Sequence, residues 1–160
     1  MQVKILFICH GNICRSPMAE FMMKELVEES GLTDKIYVAS AATSTETIYN
    51  GHGEPVYPPA QKMLAKHGID CSEKRSQQLK KSDYQNYDFL VTMDSHNVRN
   101  TLRIIGEDPE NKVFRLLDLT PKPRDIADPW YTGDFQQTWD DIEEGLPFLL
   151  EKAQELLLKH

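Results

Sequence analysis

The residues best suited to chemistry lie near the start of the chain, where five residues separate Cys9 from Arg15. This segment is named the 9–16 loop and consists of Cys9, His10, Gly11, Asn12, Ile13, Cys14, Arg15 and Ser16. Its glycine and asparagine tolerate left-handed backbone angles better than other residues do. Alternating backbone conformations there would turn successive N–H groups inward, as in known anion-binding nests. The loop therefore predicts an anion site.

The residues at the end of the loop would strengthen that site. Arg15 supplies a planar guanidinium that can bind two phosphate oxygens at once. A helix starting at Ser16 and Pro17 would add N–H groups and the positive end of its dipole. Such surroundings favour an ionised cysteine, so we expect Cys9 to be a thiolate that accepts a hydrogen bond from the Ser16 hydroxyl. The same residues would thus bind a phosphate and activate a nucleophile.

Cleavage of a phosphate ester also needs a proton for the leaving oxygen. Asp128 is the best candidate, because the proline that follows it favours an extended backbone and so helps to fix its carboxyl group. Trp130 and Tyr131 could form the walls of a slot for an aryl leaving group. An ordinary Asp-Pro turn, with the two aromatic side chains anchoring the loop on the core, is the alternative.

Other interpretations of the loop have less support. A buried cysteine at the end of a strand is the usual fate of a free thiol, and Arg15 alone could be a surface residue. Cys9 and Cys14 could be zinc ligands only with a second ligand pair, which the sequence does not offer. The glycine pattern of dinucleotide-binding loops is also missing. We therefore expect neither a metal nor a cofactor.

The rest of the sequence alternates between strand and helix patterns. Strands are predicted at residues 3–8, 36–39, 87–93 and 113–117, and helices at 16–31, 58–68, 95–106 and 135–156, with a kink or a fresh start at Pro147. Residues 43–58 and 118–134 are predicted to be loops. This alternation indicates a single α/β domain over residues 1–160, with three layers and a four-stranded parallel sheet flanked by helices on both faces. Ligand sites of such sheets lie beyond the carboxyl ends of the strands, where the 9–16 loop falls.

Composition indicates which binding partners and which cellular compartment to expect. The formal net charge of -7 argues against binding to nucleic acid or to an anionic membrane. Three cysteines are too few for a disulfide scaffold, and the apolar start of the chain is too short for a signal peptide or a membrane span. We expect a protein of the reducing cytoplasm.

The chain resembles the low-molecular-weight protein tyrosine phosphatases. The similar segments are spread along the whole chain, in the family's order, at residues 9–17, 18–20, 40–42, 67–69 and 128–133. The resemblance implies a four-stranded parallel α/β domain and a metal-free, two-step mechanism. According to this resemblance, Cys9 would be the nucleophile, Arg15 would bind the phosphate and Asp128 would be the general acid.

The resemblance also implies supporting roles. The remaining side chains of the 9–16 loop, with Trp130 and Tyr131, would contact the substrate. Ser40 would join Asn12 and Ser16 in a polar network that shapes the loop. Cys14 would be the redox partner that forms a reversible disulfide with Cys9.

Two features depart from the family pattern. Many members have a histidine a few residues after the segment that corresponds to 67–69, bonded to the loop asparagine, and Glu73 falls near that position here. Residues 47–52 read as extra length in a region that borders the site in the family. Both features bear on how the loop is supported and on the shape of the substrate rim.

The predicted function is hydrolysis of phosphotyrosine in proteins, or of aryl phosphates, through a phosphocysteine intermediate, with phosphate and vanadate as ligands. Arsenate reductases share the fold but use two further redox cysteines, whereas only Cys71 follows the loop here. Phosphoarginine phosphatases tend to have threonine where Ile13 stands. A catalytically idle phosphate-binding module would not need Cys9 and Asp128 together.

Overall fold

The computed structural model describes residues 1–159, in which strands and helices alternate. The strands are β1 (Val3–Cys9), β2 (Ile36–Ala42), β3 (Ile48–Tyr49), β4 (His52–Gly53), β5 (Phe89–Thr92) and β6 (Val113–Arg115). The helices are α1 (Arg15–Glu29), α2 (Pro58–Lys66), α3 (Asp83–Asn86), α4 (Ser95–Ile105), α5 (Pro129–Thr132) and α6 (Phe135–Leu158). None of the helices within residues 1–159 has both the length and the apolar character needed to cross a bilayer.

Four strands form one parallel sheet in the order β2-β1-β5-β6. The apolar sequence of β1 explains its inner position, because a strand covered on both faces needs nonpolar side chains at nearly every residue. β1 pairs with β2 from Val3 opposite Ile36 to Cys9 opposite Ala42. The strand order changes direction beside β1, so its carboxyl end, with Cys9, lies where parallel sheets bind ligands.

Alternate side chains of β1 enter two different cores. Ile5 and Phe7 belong to the core that includes residues of α1, α2 and α6. Leu6 and Ile8 belong to a second core with Ile105 of α4. Helices therefore cover both faces of the sheet, and the predicted fold class is confirmed.

The first predicted loop is more ordered than expected. Residues 43–58 contain the antiparallel pair of β3 and β4. Gly53 is required there, because a Cβ atom at this position would lie 1.9 Å from the carbonyl oxygen of Ser76. The hairpin was not predicted, although Asn50 and Gly51 form its two-residue turn with φ of 50° and 78° and an Asn-Gly pair is typical of such turns.

Other element boundaries also differ from the prediction. The strand expected at 113–117 ends at Arg115, and residues Leu116–Leu119 form a 3₁₀ turn. The predicted loop at 118–134 contains α5, and α3 was not predicted. Helix α6 continues through Pro147 without a fresh start, because packing of its apolar face outweighs the loss of one backbone hydrogen bond.

Candidate active site

The 9–16 loop leaves the carboxyl end of β1 and leads directly into α1. A cavity of about 270 Å³ opens over it. The cavity is lined by loop residues, by a rim segment and by the segment after the sheet: Cys9, His10, Gly11, Ile13, Cys14, Arg15, Glu46, Thr47, Glu54, Asp128, Trp130 and Tyr131. The structure thus brings Cys9, Arg15 and Asp128, which are distant in sequence, to one cavity.

Two groups hold the Cys9 sulfur. The Ser16 hydroxyl lies 3.0 Å from Sγ, and the backbone N–H of Asn12 donates to Sγ at 3.3 Å. Cys9 is only 3% exposed. Hydrogen bonds of this kind stabilise a negative sulfur in a site that contains little water.

Asn12 fixes the shape of the loop. Its φ of 56° is left-handed, as expected, whereas Gly11 does not adopt a positive φ. A Cβ atom on Gly11 would lie 3.3 Å from Thr47, so close packing is the constraint at that glycine. The Asn12 amide donates to Ser16 Oγ at 2.7 Å and to Ser40 Oγ at 2.8 Å, and its oxygen accepts the backbone N–H of Gln77 at 3.0 Å.

Arg15 is almost fully buried and is held by two carboxylates and a carbonyl. Its Nη1 atom donates to Asp94 Oδ2 at 2.6 Å and to the carbonyl oxygen of Ile126 at 2.8 Å. Its Nη2 atom lies 3.5 Å from Asp128 Oδ2. Burial alone would lower the pKa of Arg15, but the negative charges of Cys9, Asp94 and Asp128 outweigh it and raise that pKa. Arg15 is therefore a permanent cation on the cavity wall.

Cys14 has a different electrostatic environment from Cys9. Burial, followed by the nearby charges of Cys9 and Asp128, raises the pKa of Cys14 to about 12, although Arg15 opposes the shift. Cys14 is therefore a neutral thiol at physiological pH. The loop places one sulfur among donors and keeps the second protonated.

Asp128 serves two structural purposes with its two oxygens. Oδ1 accepts the backbone N–H of Trp130 at 3.0 Å and caps α5, which is the turn role considered for an Asp-Pro pair. Oδ2 faces Arg15 across the cavity. Trp130 packs on Tyr57 with ring centroids 4.7 Å apart, and Tyr131 is 84% exposed at the rim. Cap and acid are thus compatible roles for one side chain.

The segment at 47–52 contacts the 9–16 loop through Thr47. The Thr47 hydroxyl donates to the carbonyl oxygen of Gly11 at 2.7 Å and lies 2.7 Å from Ser76 Oγ. On the rim beside it, His10 Nε2 lies 3.0 Å from Glu46 Oε2. Of residues 47–52, Thr47 alone lines the cavity, and its hydroxyl ties this segment to the loop floor.

Near Glu73, the side chain that reaches the loop network is that of Lys74. Glu73 is exposed, whereas the next residue, Lys74, points into the protein beneath the loop. Lys74 Nζ lies 3.2 Å from Glu20 Oε1 and donates to the backbone carbonyl of Ser40 at 3.1 Å. The sequence could not separate neighbours in an irregular segment, because no periodic pattern shows which of them faces inward.

Sequence reasoning missed several residues of the site. Asp94, which holds Arg15, had an available signal: it follows the buried strand β5, whose carboxyl end lies beside that of β1. Glu20 and Thr47 lie in the segments 18–20 and 47–52, which the family resemblance singled out without giving these two residues a role. Lys74 had no comparable signal, because its contacts join segments far apart in the chain. Within residues 1–159, no group of three or more His, Cys, Asp or Glu side chains is arranged to hold a metal ion.

Comparisons with known proteins give one answer. The sequence matches the family described as low molecular weight phosphotyrosine protein phosphatase over residues 4–158. It is 34% identical to the low molecular weight protein-tyrosine-phosphatase PtpA of Staphylococcus aureus, covering 93% of this chain and 92% of PtpA. The crystal structure of YfkJ from Bacillus subtilis is similar with a TM-score of 0.87 at 32% identity, over 97% of this chain and 96% of YfkJ.

An arginine phosphatase has the same architecture. The structure of a mutant of YwlE arginine phosphatase, with a phosphorylated active-site serine in place of cysteine, is similar with a TM-score of 0.77 at 28% identity. The match covers 96% of this chain and 95% of YwlE. The fold therefore occurs with more than one kind of phosphorylated substrate.

Proposed function

The chain belongs to the low molecular weight protein tyrosine phosphatase family of phosphoric monoester hydrolases, and we propose that its phosphotyrosine chemistry depends on Cys9, Arg15 and Asp128. One observation carries these roles. The Cys9 sulfur, held by Ser16 and Asn12, faces the same cavity as an Arg15–Asp128 pair separated by 3.5 Å. The family match over residues 4–158 supports one phosphatase domain across the chain.

In the first step the Cys9 thiolate attacks phosphorus and a sulfur–phosphorus bond forms. The bond from phosphorus to the phenolic oxygen breaks, and Asp128 in its acid form donates its proton to that oxygen. Arg15 and the loop N–H groups stabilise the equatorial oxygens of the phosphoryl group as it transfers. Trp130 and Tyr131 form one wall for the aryl ring.

In the second step water attacks the phosphocysteine. Asp128, now a carboxylate, takes a proton from the water, and the sulfur–phosphorus bond breaks to restore the Cys9 thiolate and release phosphate. Phosphate and vanadate are ligands of the same site. Arg15 and the loop N–H groups supply the positive charge that the phosphoryl oxygens need, so the proposed steps call for no metal ion.

The experiment is hydrolysis of p-nitrophenyl phosphate in the presence of EDTA, followed by matched phosphotyrosine and phosphoarginine peptides. We expect full activity with EDTA, competitive inhibition by vanadate, and preference for phosphotyrosine. Ile13 lines the cavity, and its apolar side chain favours an aryl substrate. A preference for phosphoarginine would instead indicate the arginine phosphatase activity for which YwlE is named. Loss of activity in EDTA would contradict the mechanism.

We also propose reversible redox control in a reducing cytoplasm. All three cysteines are free and buried. Peroxide would convert the Cys9 thiolate to a sulfenic acid, releasing hydroxide. The Cys14 thiol would then attack that sulfur, form a disulfide and release water. Oxidation also removes the Cys9 charge that helps to raise the pKa of Cys14, which favours this second step.

A further inference from the structure

A buried ion pair lies beneath the 9–16 loop, away from the substrate cavity. Glu20, on the inner face of α1, is 4% exposed. Its Oε1 atom lies 3.2 Å from Lys74 Nζ and accepts the Ser40 hydroxyl at 2.5 Å. The Lys74 side chain is 8% exposed. A buried pair of charges is costly unless it is fully bonded, so its place in the molecule calls for a reason.

A continuous path of hydrogen bonds joins this pair to the nucleophile. Ser40 Oγ accepts one proton of the Asn12 amide at 2.8 Å, and Ser16 Oγ accepts the other at 2.7 Å. Ser16 Oγ in turn lies 3.0 Å from Cys9 Sγ. Three side chains, those of Ser40, Asn12 and Ser16, therefore connect the Glu20 carboxylate to the sulfur.

The direction of every bond in the path can be assigned. The Gln77 N–H group bonds to Asn12 Oδ1, so the Asn12 NH₂ group must face the two serines. Ser40 accepts from Asn12 and gives its only proton to Glu20, provided that Glu20 is an ionised acceptor. Ser16 also accepts from Asn12, which leaves its own proton for Cys9.

Lys74 is the cation best placed to keep Glu20 ionised. Lys24 also contacts Glu20, at 2.5 Å from Oε2, but its side chain is 46% exposed. Burial lowers the pKa of Lys74, and the Lys24 charge adds to this effect, whereas Glu20 and the Cys9 charge oppose it. The other charged groups around the adjoining cavity are Glu28, Glu73 and Arg75.

We propose that Lys74 is a positioning residue for the nucleophile: its ammonium group pairs with Glu20 and so holds in place the path of hydrogen bonds that directs the Ser16 hydroxyl at the Cys9 thiolate. This inference rests on the proposed role of Cys9. A purely structural role, in which the pair only ties residues 71–77 to α1, would leave the ionisation of the sulfur unchanged. The two possibilities therefore differ in the chemistry of Cys9.

The experiment measures the rate of Cys9 alkylation by iodoacetamide against pH in the full chain, with Cys14 and Cys71 monitored by mass spectrometry. Lys74→Gln keeps a donor for the Ser40 carbonyl but removes the charge. We expect the midpoint of the alkylation profile to rise by about half a unit to one unit. Lys74→Arg should restore most of the shift. Lys24→Gln, the matched control on the same carboxylate, should leave the midpoint unchanged because solvent screens its exposed charge.

The outcomes separate this inference from the proposed function. If wild-type Cys9 is not alkylated faster than an ordinary thiol at neutral pH, the proposed function fails. If it is, but folded Lys74→Gln has the wild-type midpoint, the positioning role is overturned. Should Lys74→Gln not fold, Ser40→Ala breaks the path between Glu20 and Asn12 and leaves the ion pair in place. An unchanged midpoint in Ser40→Ala would then overturn the inference.

Discussion

The loop that carries Cys9 and the loop that carries Asp128 meet at one cavity, but the protein holds them differently. Asn12, Ser16 and Arg15 of the first loop are at most 2% exposed. In the second loop, Trp130 is 54% exposed, and the neighbouring Asp125 is held by hydrogen bonds from Arg115 and Ser95 near the surface. One loop is part of the interior, and the other is fastened to it from outside.

This difference indicates how each loop tolerates change. A buried polar network must be satisfied internally, so loss of one member leaves another without a partner. Surface charge pairs contribute little individually and are screened by salt. We therefore expect large chemical effects from substitutions in the 9–16 loop, and graded effects along the Asp128 loop.

The largest effect is expected for Cys9→Ser. The hydroxyl is a poor nucleophile at neutral pH, so kcat should fall by more than about 10⁴-fold, while vanadate or phosphate should still bind to Arg15 and the loop N–H groups. Steady-state kinetics and calorimetric titration with vanadate measure the two properties. Substantial turnover by the variant would rule out a phosphocysteine intermediate.

Asp128→Asn comes next. The amide can still cap α5 but cannot give a proton, so kcat for a phenyl phosphate should fall by roughly 10²–10⁴. The loss should shrink with more acidic leaving groups, which need less protonation, and the melting temperature should barely change. Kinetics with a series of substituted phenyl phosphates provide the measurement.

Asp134→Asn is the control for that experiment. Asp134 caps α6 through the backbone N–H of Gln137 and belongs to the same stretch of chain, but it does not line the cavity. The amide of Asn can still accept that N–H, so both the melting temperature and kcat should change little, without any dependence on the leaving group. If kcat of Asp134→Asn depended on the leaving group and kcat of Asp128→Asn did not, Asp128 would not be the general acid.

The third effect concerns the second sulfur of the buried loop. Because the pKa of Cys14 is raised to about 12, its thiol stays protonated below that pH and should resist alkylation while Cys9 reacts. After peroxide treatment, wild-type activity should return with dithiothreitol. Cys14→Ala should recover several-fold less, because its sulfenic acid cannot be trapped as a disulfide and oxidises further. Equal recovery in both proteins would mean that Cys14 only fills space.

The smallest effect is expected where the Asp128 loop is fastened at the surface. Burial opposes the shift, but hydrogen bonds from Arg115 and Ser95 lower the pKa of Asp125. Arg115→Gln removes one of these bonds and should reduce kcat by no more than about fivefold, as for a surface ion pair. The contribution of the Arg115–Asp125 contact to holding this loop is present while Asp125 is ionised, and it is lost as the pH falls through the lowered pKa of Asp125. The difference from wild type should therefore disappear in acid and narrow at high salt.

The same contrast explains what the sequence could predict. The 9–16 loop could be predicted because its residue types are consecutive and lie between a buried strand and the start of a helix. Few local structures accommodate that combination of residues. The four-stranded sheet was readable for a similar reason, since nearly continuous apolar runs are typical of strands covered on both faces.

Contacts between distant segments were not readable. Lys74 reaches Glu20, and Asp94 reaches Arg15, across gaps that no local periodicity spans. The hairpin at Ile48–Tyr49 and His52–Gly53 is a different case, because its Asn50-Gly51 turn was a readable local signal that the prediction overlooked. Only the close approach of Gly53 to Ser76 is a property of the folded chain alone. For the same reason the sequence could not show that Lys74, and not Glu73, faces inward, because an irregular backbone gives neighbours no fixed directions.

The position of β1 inside the sheet has a consequence during synthesis. Cys9 leaves the ribosome before the strand beside it, β5, and well before the carboxyl group of Asp128. Translation at roughly 5–20 residues per second leaves an interval of several seconds in which the nascent chain carries Cys9 but not yet β5 or Asp128. The cavity that joins the sulfur to its proposed acid can therefore form only after Asp128 has been made.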